Sequence, residues 1–188
     1  KESELVSARK KHKWQARNYY IENKVWHISK KGYKDVIKEL STPEEAGIYC
    51  SKIEYLDDII NYGERDYWAS FKKIHERKKD DCDGIAFAAA AILSDDGYPP
   101  YMLYIDGRDK RNKLSGHAVF IYKTGEGYQY ISNGGNHQEA YENLEDVAEA
   151  AAKEAGLRLR NHKVYDLNKV AEDFIDNDQN NKIYKKID

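Results

Sequence analysis

The sequence is poor in cysteine and contains no long hydrophobic run. Only two of its 188 residues are cysteines, Cys50 and Cys82, which is too few for the disulfide framework of a small secreted domain. No Cys or His spacing resembles a structural zinc site. No apolar run approaches the roughly 18 residues that span a bilayer. The chain also lacks internal repeats and low-complexity linkers, so we expect one domain over residues 1–188.

Neither sign of charge dominates the whole chain. The net charge is -2, and 34% of the residues are charged, which predicts a soluble protein that does not bind nucleic acid. Basic residues concentrate in residues 1–34 and acidic ones in residues 35–66. The basic segment is a candidate contact for an acidic partner or a membrane surface, or a solvated helix face docked on the acidic segment. The first residues do not form a secretion signal. The compartment stays open, cytoplasmic or exported with the signal removed.

The first half of the sequence has helical patterns. Residues 1–40 predict a helical N-terminal extension. Thr42, Pro43 and Glu45 form a capping-box start, and apolar residues at spacings of three and four continue that helix to Gly63. We expect Cys50, inside this pattern, to be a buried small residue. Three further helices are predicted, at residues 71–79, 85–93 and 143–155. The second of these is nearly all apolar, which predicts a buried central helix.

The second half of the sequence alternates between apolar and polar residues. The predicted strands are 101–105, 117–122, 128–133 and 157–167. Residues 106–116 read as a polar loop and residues 124–127 as a turn, so the second and third strands form a hairpin. The tail after Asp173 is polar and is expected to fray.

Cys82 is the residue that most strongly suggests chemistry. It lies between Asp81 and Asp83, where the apolar helix begins. A helix N-terminus stabilises a thiolate, which is the nucleophilic form of cysteine. The two carboxylates act in the opposite direction and raise the thiol pKa. A disulfide between Cys50 and Cys82 would remove the free thiol, and we expect that this disulfide does not form.

The hairpin supplies a base and an orienting group. If its turn centres near Gly125, His117 lies opposite Asn133, and cross-strand partners have Cβ atoms about 5 Å apart. The Asn133 carbonyl would then accept the Nδ1–H of His117 and leave Nε2 free for the thiol. The predicted triad is therefore Cys82, His117 and Asn133. Trp68 and Tyr67 are the candidate side-chain donors to the oxyanion, beside the Cys82 N–H.

At these residues the chain resembles the transglutaminase-like cysteine peptidase superfamily. The segment Asp66-Tyr67-Trp68-Ala69-Ser70, followed by Asp81-Cys82-Asp83, is similar to the bacterial transglutaminase-like cysteine proteinases in particular. The run Gly97-Tyr98-Pro99-Pro100 matches the turn into the first strand. The resemblance covers residues 62–135, the expected catalytic core. It implies an α+β, papain-like fold with a transglutaminase core, in which a central buried helix packs on a small antiparallel sheet with helices around it.

The resemblance also implies roles for individual residues. Cys82 matches the nucleophile and His117 the base, and Asn133 stands where the superfamily has Asp. Asp80 stands where the superfamily usually has Gly, directly before the Asp-Cys pair. Gly84 stands where an acidic residue is common, two positions after the cysteine. The chain therefore departs from the superfamily pattern at Asp80, Gly84 and Asn133.

Some bacterial members of the superfamily bind calcium beside the cysteine. The corresponding candidates in this sequence are Asp81 and Asp83. Two carboxylates fall short of the about six to eight oxygen ligands that Ca²⁺ takes, so we expect no cofactor.

These residues predict a thiol-dependent acyl-transfer enzyme, a peptidase or amidase that cleaves a peptide or isopeptide bond in a protein or peptide substrate. Two alternatives stay open. Transfer to an amine would make the protein a protein-glutamine transglutaminase. A non-catalytic binding or structural module that kept the fold would explain Asn133 and the acids beside Cys82.

Overall fold

The chain is built from seven helices and seven strands within residues 2–64 and 66–168, which this computed structural model describes. The helices are α1 (Glu2–Ile28), α2 (Tyr33–Glu39), α3 (Pro43–Cys50), α4 (Asp58–Asn61), α5 (Phe71–Arg77), α6 (Cys82–Leu93) and α7 (Leu144–Glu154). The strands are β1 (Glu54–Tyr55), β2 (Lys79–Asp80), β3 (Tyr101–Arg108), β4 (Leu114–Lys123), β5 (Tyr128–Ser132), β6 (Gly135–Tyr141) and β7 (Arg158–Asp166). A short 3-10 turn, Ser94–Asp96, follows α6.

Five strands form an antiparallel sheet in the order β6-β5-β4-β3-β7. Because side chains alternate across a strand, β4 contributes to two cores. Ala118, Phe120 and Tyr122 pack with α6 on one face of the sheet. Val119 and Ile121 pack with α7 on the other face. The sheet therefore lies between α7 and a layer of helices that contains α6.

Helix α6 is the centre of the larger core. Its residues from Ile85 to Leu93 are all buried, as the continuous apolar run predicted. The Asp81 side chain caps the helix by accepting a hydrogen bond from the Asp83 N–H, which fixes the start of α6 at Cys82. The predicted α+β fold with a buried central helix on an antiparallel sheet is confirmed.

Most predicted elements match the structure. Helices α1, α2, α5 and α7 and strand β7 lie where the sequence placed them, and the Asn143 side chain caps α7. Among residues 2–64 and 66–168, no helix is long and apolar enough to cross a membrane. The tail after Asp173 lies outside the described residues.

The predicted helix from Thr42 to Gly63 is wrong beyond Cys50. Helix α3 ends there, and the chain turns into β1, which pairs in parallel with β2. The Glu54 N–H donates to the carbonyl of Lys78, and the Leu56 N–H donates to that of Asp80. Because these partners are distant in sequence, tertiary pairing overrides the local helical pattern.

The sheet is also larger than predicted. Strands β3 and β4 extend into the segment that was read as a loop, which leaves only residues 109–113 between them. Strand β6 was not predicted. Its residues are mostly polar or half-buried, so their burial pattern gives little strand signal.

Candidate active site

Cys82 lies at the junction of α6 and the sheet. It is the first residue of α6, it is partly buried, and it is a free thiol like the fully buried Cys50. The backbone N–H of Ala118, on β4, is near enough to lower the pKa of the Cys82 thiol, as is the N–H of Cys82 itself. The sulfur therefore lies near the strand residue that follows His117.

The surroundings of Cys82 oppose thiolate formation. Burial raises the pKa of the Cys82 thiol to about 12, and the carboxylates of Asp81 and Asp83 add to this increase. The electrostatic effect predicted for the flanking acids is thus confirmed. Since the thiol is protonated at neutral pH in this environment, its activation requires positive charge near the sulfur.

The predicted contact between Cys82 and His117 Nε2 is not formed, because that nitrogen has no partner among the described residues. His117 nevertheless directly precedes Ala118 on β4, so its backbone adjoins the strand residue that lies near the thiol.

The His117 ring itself is on the α7 side of the sheet. The residue is 7% exposed, and its Nε2 has no hydrogen-bond partner among residues 2–64 and 66–168. It lines a cavity of about 250 Å³ with Asn133 and Glu154, while Cys82 is not part of that lining. Burial lowers the pKa of His117, Glu154 raises it, and His137 lowers it. An unpaired buried nitrogen is costly, so this one is a natural acceptor or donor for a reacting group.

The predicted register of the hairpin is wrong by one residue. Strand β4 pairs with β5 through Phe120 and Ile131, whereas a turn centred on Gly125 would pair Phe120 with Tyr130. The ladder ends at Phe120 and does not pair His117 with Asn133. The loop between the strands has an even number of residues, 124–127, so its centre falls after Gly125. Asn133 is exposed in the turn that follows β5. It nevertheless lines the same cavity as His117.

The two predicted oxyanion donors lie in the core around α6. Tyr67 and Trp68 are partly buried against the cluster that also contacts Cys82. The Tyr67 hydroxyl accepts a hydrogen bond from Lys73 Nζ at 2.6 Å. The phenols of Tyr55 and Tyr104 were missed in the sequence. Both are near enough to the sulfur that its charge contributes to raising their pKa, although burial is the larger cause.

Carboxylates form a cluster behind the nucleophile. Oxygens of Asp58, Asp80 and Asp81 all lie within 4.8 Å of one another. Asp58 is 3% exposed and Asp80 is 0% exposed. Asp80 accepts a hydrogen bond from the Tyr62 hydroxyl at 2.7 Å. Asp58 accepts one from the Tyr67 N–H, but its Oδ1 has no partner among the described residues.

The charge of this cluster is not balanced by the residues described. Among the side chains that the structure describes, in residues 11, 15–64 and 66–168, no basic group forms an ion pair with the cluster. Burial raises the pKa of Asp80 to about 7 and that of Asp58 to about 6. Burial and a hydrogen bond with Asp81 strongly raise the pKa of Asp83.

The cluster fits a hard divalent cation. Its donors are all oxygens, which Ca²⁺ and Mg²⁺ prefer, and one buried oxygen, Asp58 Oδ1, lacks a partner. The sequence suggested only Asp81 and Asp83. It could not suggest Asp58, which is brought to the cluster from α4 by the pairing of β1 with β2.

The comparisons with known proteins find similarity in structure only. No protein-family model matches the sequence, and no curated protein matches it significantly. The structure of Legionella pneumophila LapG aligns with a TM-score of 0.50 at 13% identity, covering 91% of this chain and 97% of LapG. Calcium-bound and EGTA-treated LapG align with TM-scores of 0.46 at 15% identity, covering 76% of this chain and 83% and 78% of theirs.

The fold is transglutaminase-like. The match to LapG extends over nearly the whole of both chains, and at 13% identity it establishes the architecture alone. The fold that the resemblance implied is confirmed, and membership of the superfamily stays a prediction. Closest similarity to the bacterial transglutaminase-like cysteine proteinases stays a prediction.

Proposed function

We propose that the protein is a thiol-dependent acyl-transfer enzyme that hydrolyses a peptide or isopeptide bond. The observation that carries the proposal is the position of Cys82. Its thiol, at the start of a buried helix, lies near enough to β4 that the N–H of the residue after His117 lowers its pKa. The transglutaminase-like fold supports the same chemistry.

Cys82 and His117 share the chemical steps. His117 takes the proton of the Cys82 thiol, and the sulfur forms a bond to the substrate carbonyl carbon. The imidazolium then gives its proton to the leaving amine as the carbon–nitrogen bond breaks. Water, deprotonated by His117, attacks the thioester and releases the acid and the free thiol. Asn133 at the cavity rim is the proposed hydrogen-bond partner of His117.

The oxyanion of each tetrahedral intermediate needs donors near the sulfur. The backbone N–H of Cys82 is one candidate, because it is at the N-terminus of α6. Trp68 and Tyr67 stay candidates for the second donor. Tyr55 and Tyr104 join them, since both phenols are within electrostatic range of the sulfur.

Asp58, Asp80, Asp81 and Asp83 would hold a divalent cation, with calcium the first candidate. Bound there, its positive charge would offset the carboxylates that raise the pKa of Cys82. The carboxylates themselves hold the first turn of α6 through the Asp81 cap and the Asp80 oxygen that accepts the Asp81 N–H.

A peptidase assay with calcium present tests the proposal. Wild-type protein and the variants Cys82→Ser, His117→Ala and Cys50→Ser are incubated with a mixture of peptides, and new ends are identified by mass spectrometry. We expect cleavage by the wild type and by Cys50→Ser, and none by Cys82→Ser. Cleavage that survives Cys82→Ser would contradict the proposal. A labelled primary amine in the same reaction detects transfer to amines, the transglutaminase outcome.

A non-catalytic module is the second candidate. The observations that favour it are the thiol pKa of about 12 and the unpartnered Nε2 of His117. It predicts no cleavage of any peptide by the wild type and equal, slow alkylation of Cys82 in wild type and His117→Ala.

A further inference from the structure

We propose that Glu154, at the end of α7, is the positioning residue for His117 and supplies the negative charge that Asn133 lacks. This inference rests on the proposed function of the Cys82 and His117 pair. It assigns the third role of that site to a helix residue on the opposite side of the sheet from Cys82.

The Glu154 carboxylate lies beside the turn that joins β5 to β6. Asn133 and Gly134 form that turn, since Ser132 pairs with Gly135. A Cβ built on Gly134 would lie 2.9 Å from Glu154 Oε1, so glycine at this position leaves room for the carboxylate. His117 and Glu154 line the same cavity.

Three side chains hold the carboxylate there. The Ser132 hydroxyl donates to Glu154 Oε1 at 2.7 Å, and the Tyr130 hydroxyl donates to Oε2 at 3.1 Å. His137 Nε2 is 3.2 Å from the same Oε2. Burial raises the pKa of Glu154, but the hydrogen bonds from His137 and Ser132 outweigh it and lower the pKa. The carboxylate is therefore ionised and fixed in direction.

The charges around His117 come from several elements. Glu154 belongs to α7, His137 to β6, Tyr130 to β5 and Tyr55 to β1. The C-terminal end of α7 also faces the cavity, and its carbonyls favour a cation. Glu154 is the group in this set that stabilises an imidazolium, whereas a protonated His137 would oppose it.

This arrangement has a chemical consequence. Cys82 approaches β4 from the α6 side, and Glu154 reaches His117 from the α7 side. A fixed carboxylate that holds one imidazole nitrogen leaves the other free for the thiol, as a general base requires. The ionised carboxylate also favours the imidazolium that forms when His117 takes the thiol proton.

The experiment compares Glu154→Gln with Glu149→Gln, an exposed acid on the same helix. Proton NMR of the histidine rings follows the titration of His117 and His137, and alkylation with iodoacetamide follows Cys82. We expect the pKa of His117 to fall in Glu154→Gln and the alkylation rate at neutral pH to fall about tenfold. Glu149→Gln should change neither.

Each result decides between structural and positioning roles. A Glu154→Gln variant in which only His137 shifts its titration would overturn the inference. If Glu154→Gln does not fold, Gly134→Ala displaces the carboxylate and should produce the same His117 shift. Failure of the proposed function looks different. Cys82 would then be insensitive to His117→Ala, while the coupling between Glu154 and His117 would still be visible by NMR.

Discussion

The carboxylate of Asp80 fills the space that a side chain at position 84 would need. A Cβ built on Gly84 would lie 2.2 Å from Asp80 Oδ1. In the sequence these positions are two separate departures from the superfamily pattern. In the structure they are one unit, because the last residue of β2 delivers a carboxylate into the first turn of α6. That unit joins the acidic cluster to the helix that carries Cys82.

A side chain at position 84 should therefore destabilise the protein. We expect Gly84→Ala to lower the free energy of unfolding by about 1–3 kcal/mol, as overpacking of a buried site does. Urea denaturation measures it. Gly125→Ala is the control, because a Cβ there meets nothing within 4 Å. The loss should shrink in an Asp80→Ala background, and simple additivity of the two changes would refute the close contact.

Calcium should bind the acidic cluster and stabilise the fold. We expect a rise in the melting temperature when calcium is added to EGTA-treated protein, since a ligand that binds only the native state stabilises it. Asp58→Asn should abolish most of the rise, because Asp58 Oδ1 is the buried oxygen without a partner. Asp95→Asn, in an exposed turn, is the matched control. Equal rises in both variants would place the cation elsewhere.

Removing the acid after the nucleophile should make the thiol more acidic. Asp83 raises the pKa of Cys82, so Asp83→Asn should increase the thiolate fraction at any pH below that pKa. The pH profile of Cys82 alkylation, measured in EGTA, should move to lower pH. The profile of Asp95→Asn should match the wild type. A shift to higher pH in Asp83→Asn would show that Asp83 supports the thiolate.

The sequence predicted the features that depend on neighbouring residues, such as the central helix and the hairpin. The apolar run ending at Leu93 requires a buried helix, and its start is marked by the Asp81 cap, so the position of Cys82 was predictable. The hairpin was also predictable, but its register depends on where the turn is centred. An error of one residue in that centre paired His117 with Asn133, a pairing that the β4–β5 ladder does not contain.

Other parts of the site depend on contacts between distant segments. Asp58 reaches the cluster through the pairing of β1 with β2, and Glu154 reaches His117 across the sheet from the end of α7. Both residues look like ordinary surface acids of helices in the sequence. Tyr55 comes from a segment that was predicted as helix, so its position near the sulfur had no local signal.

Selective alkylation of Cys82 tests the central claim most directly. Calcium-loaded protein is treated with iodoacetamide at neutral pH, and both cysteines are quantified by peptide mapping. We expect Cys82 to be labelled far faster than Cys50, because Cys50 is fully buried and Cys82 is only partly buried. The rate should fall about a hundredfold in His117→Ala. Equal, slow labelling of the two cysteines, unchanged in His117→Ala, would contradict the account.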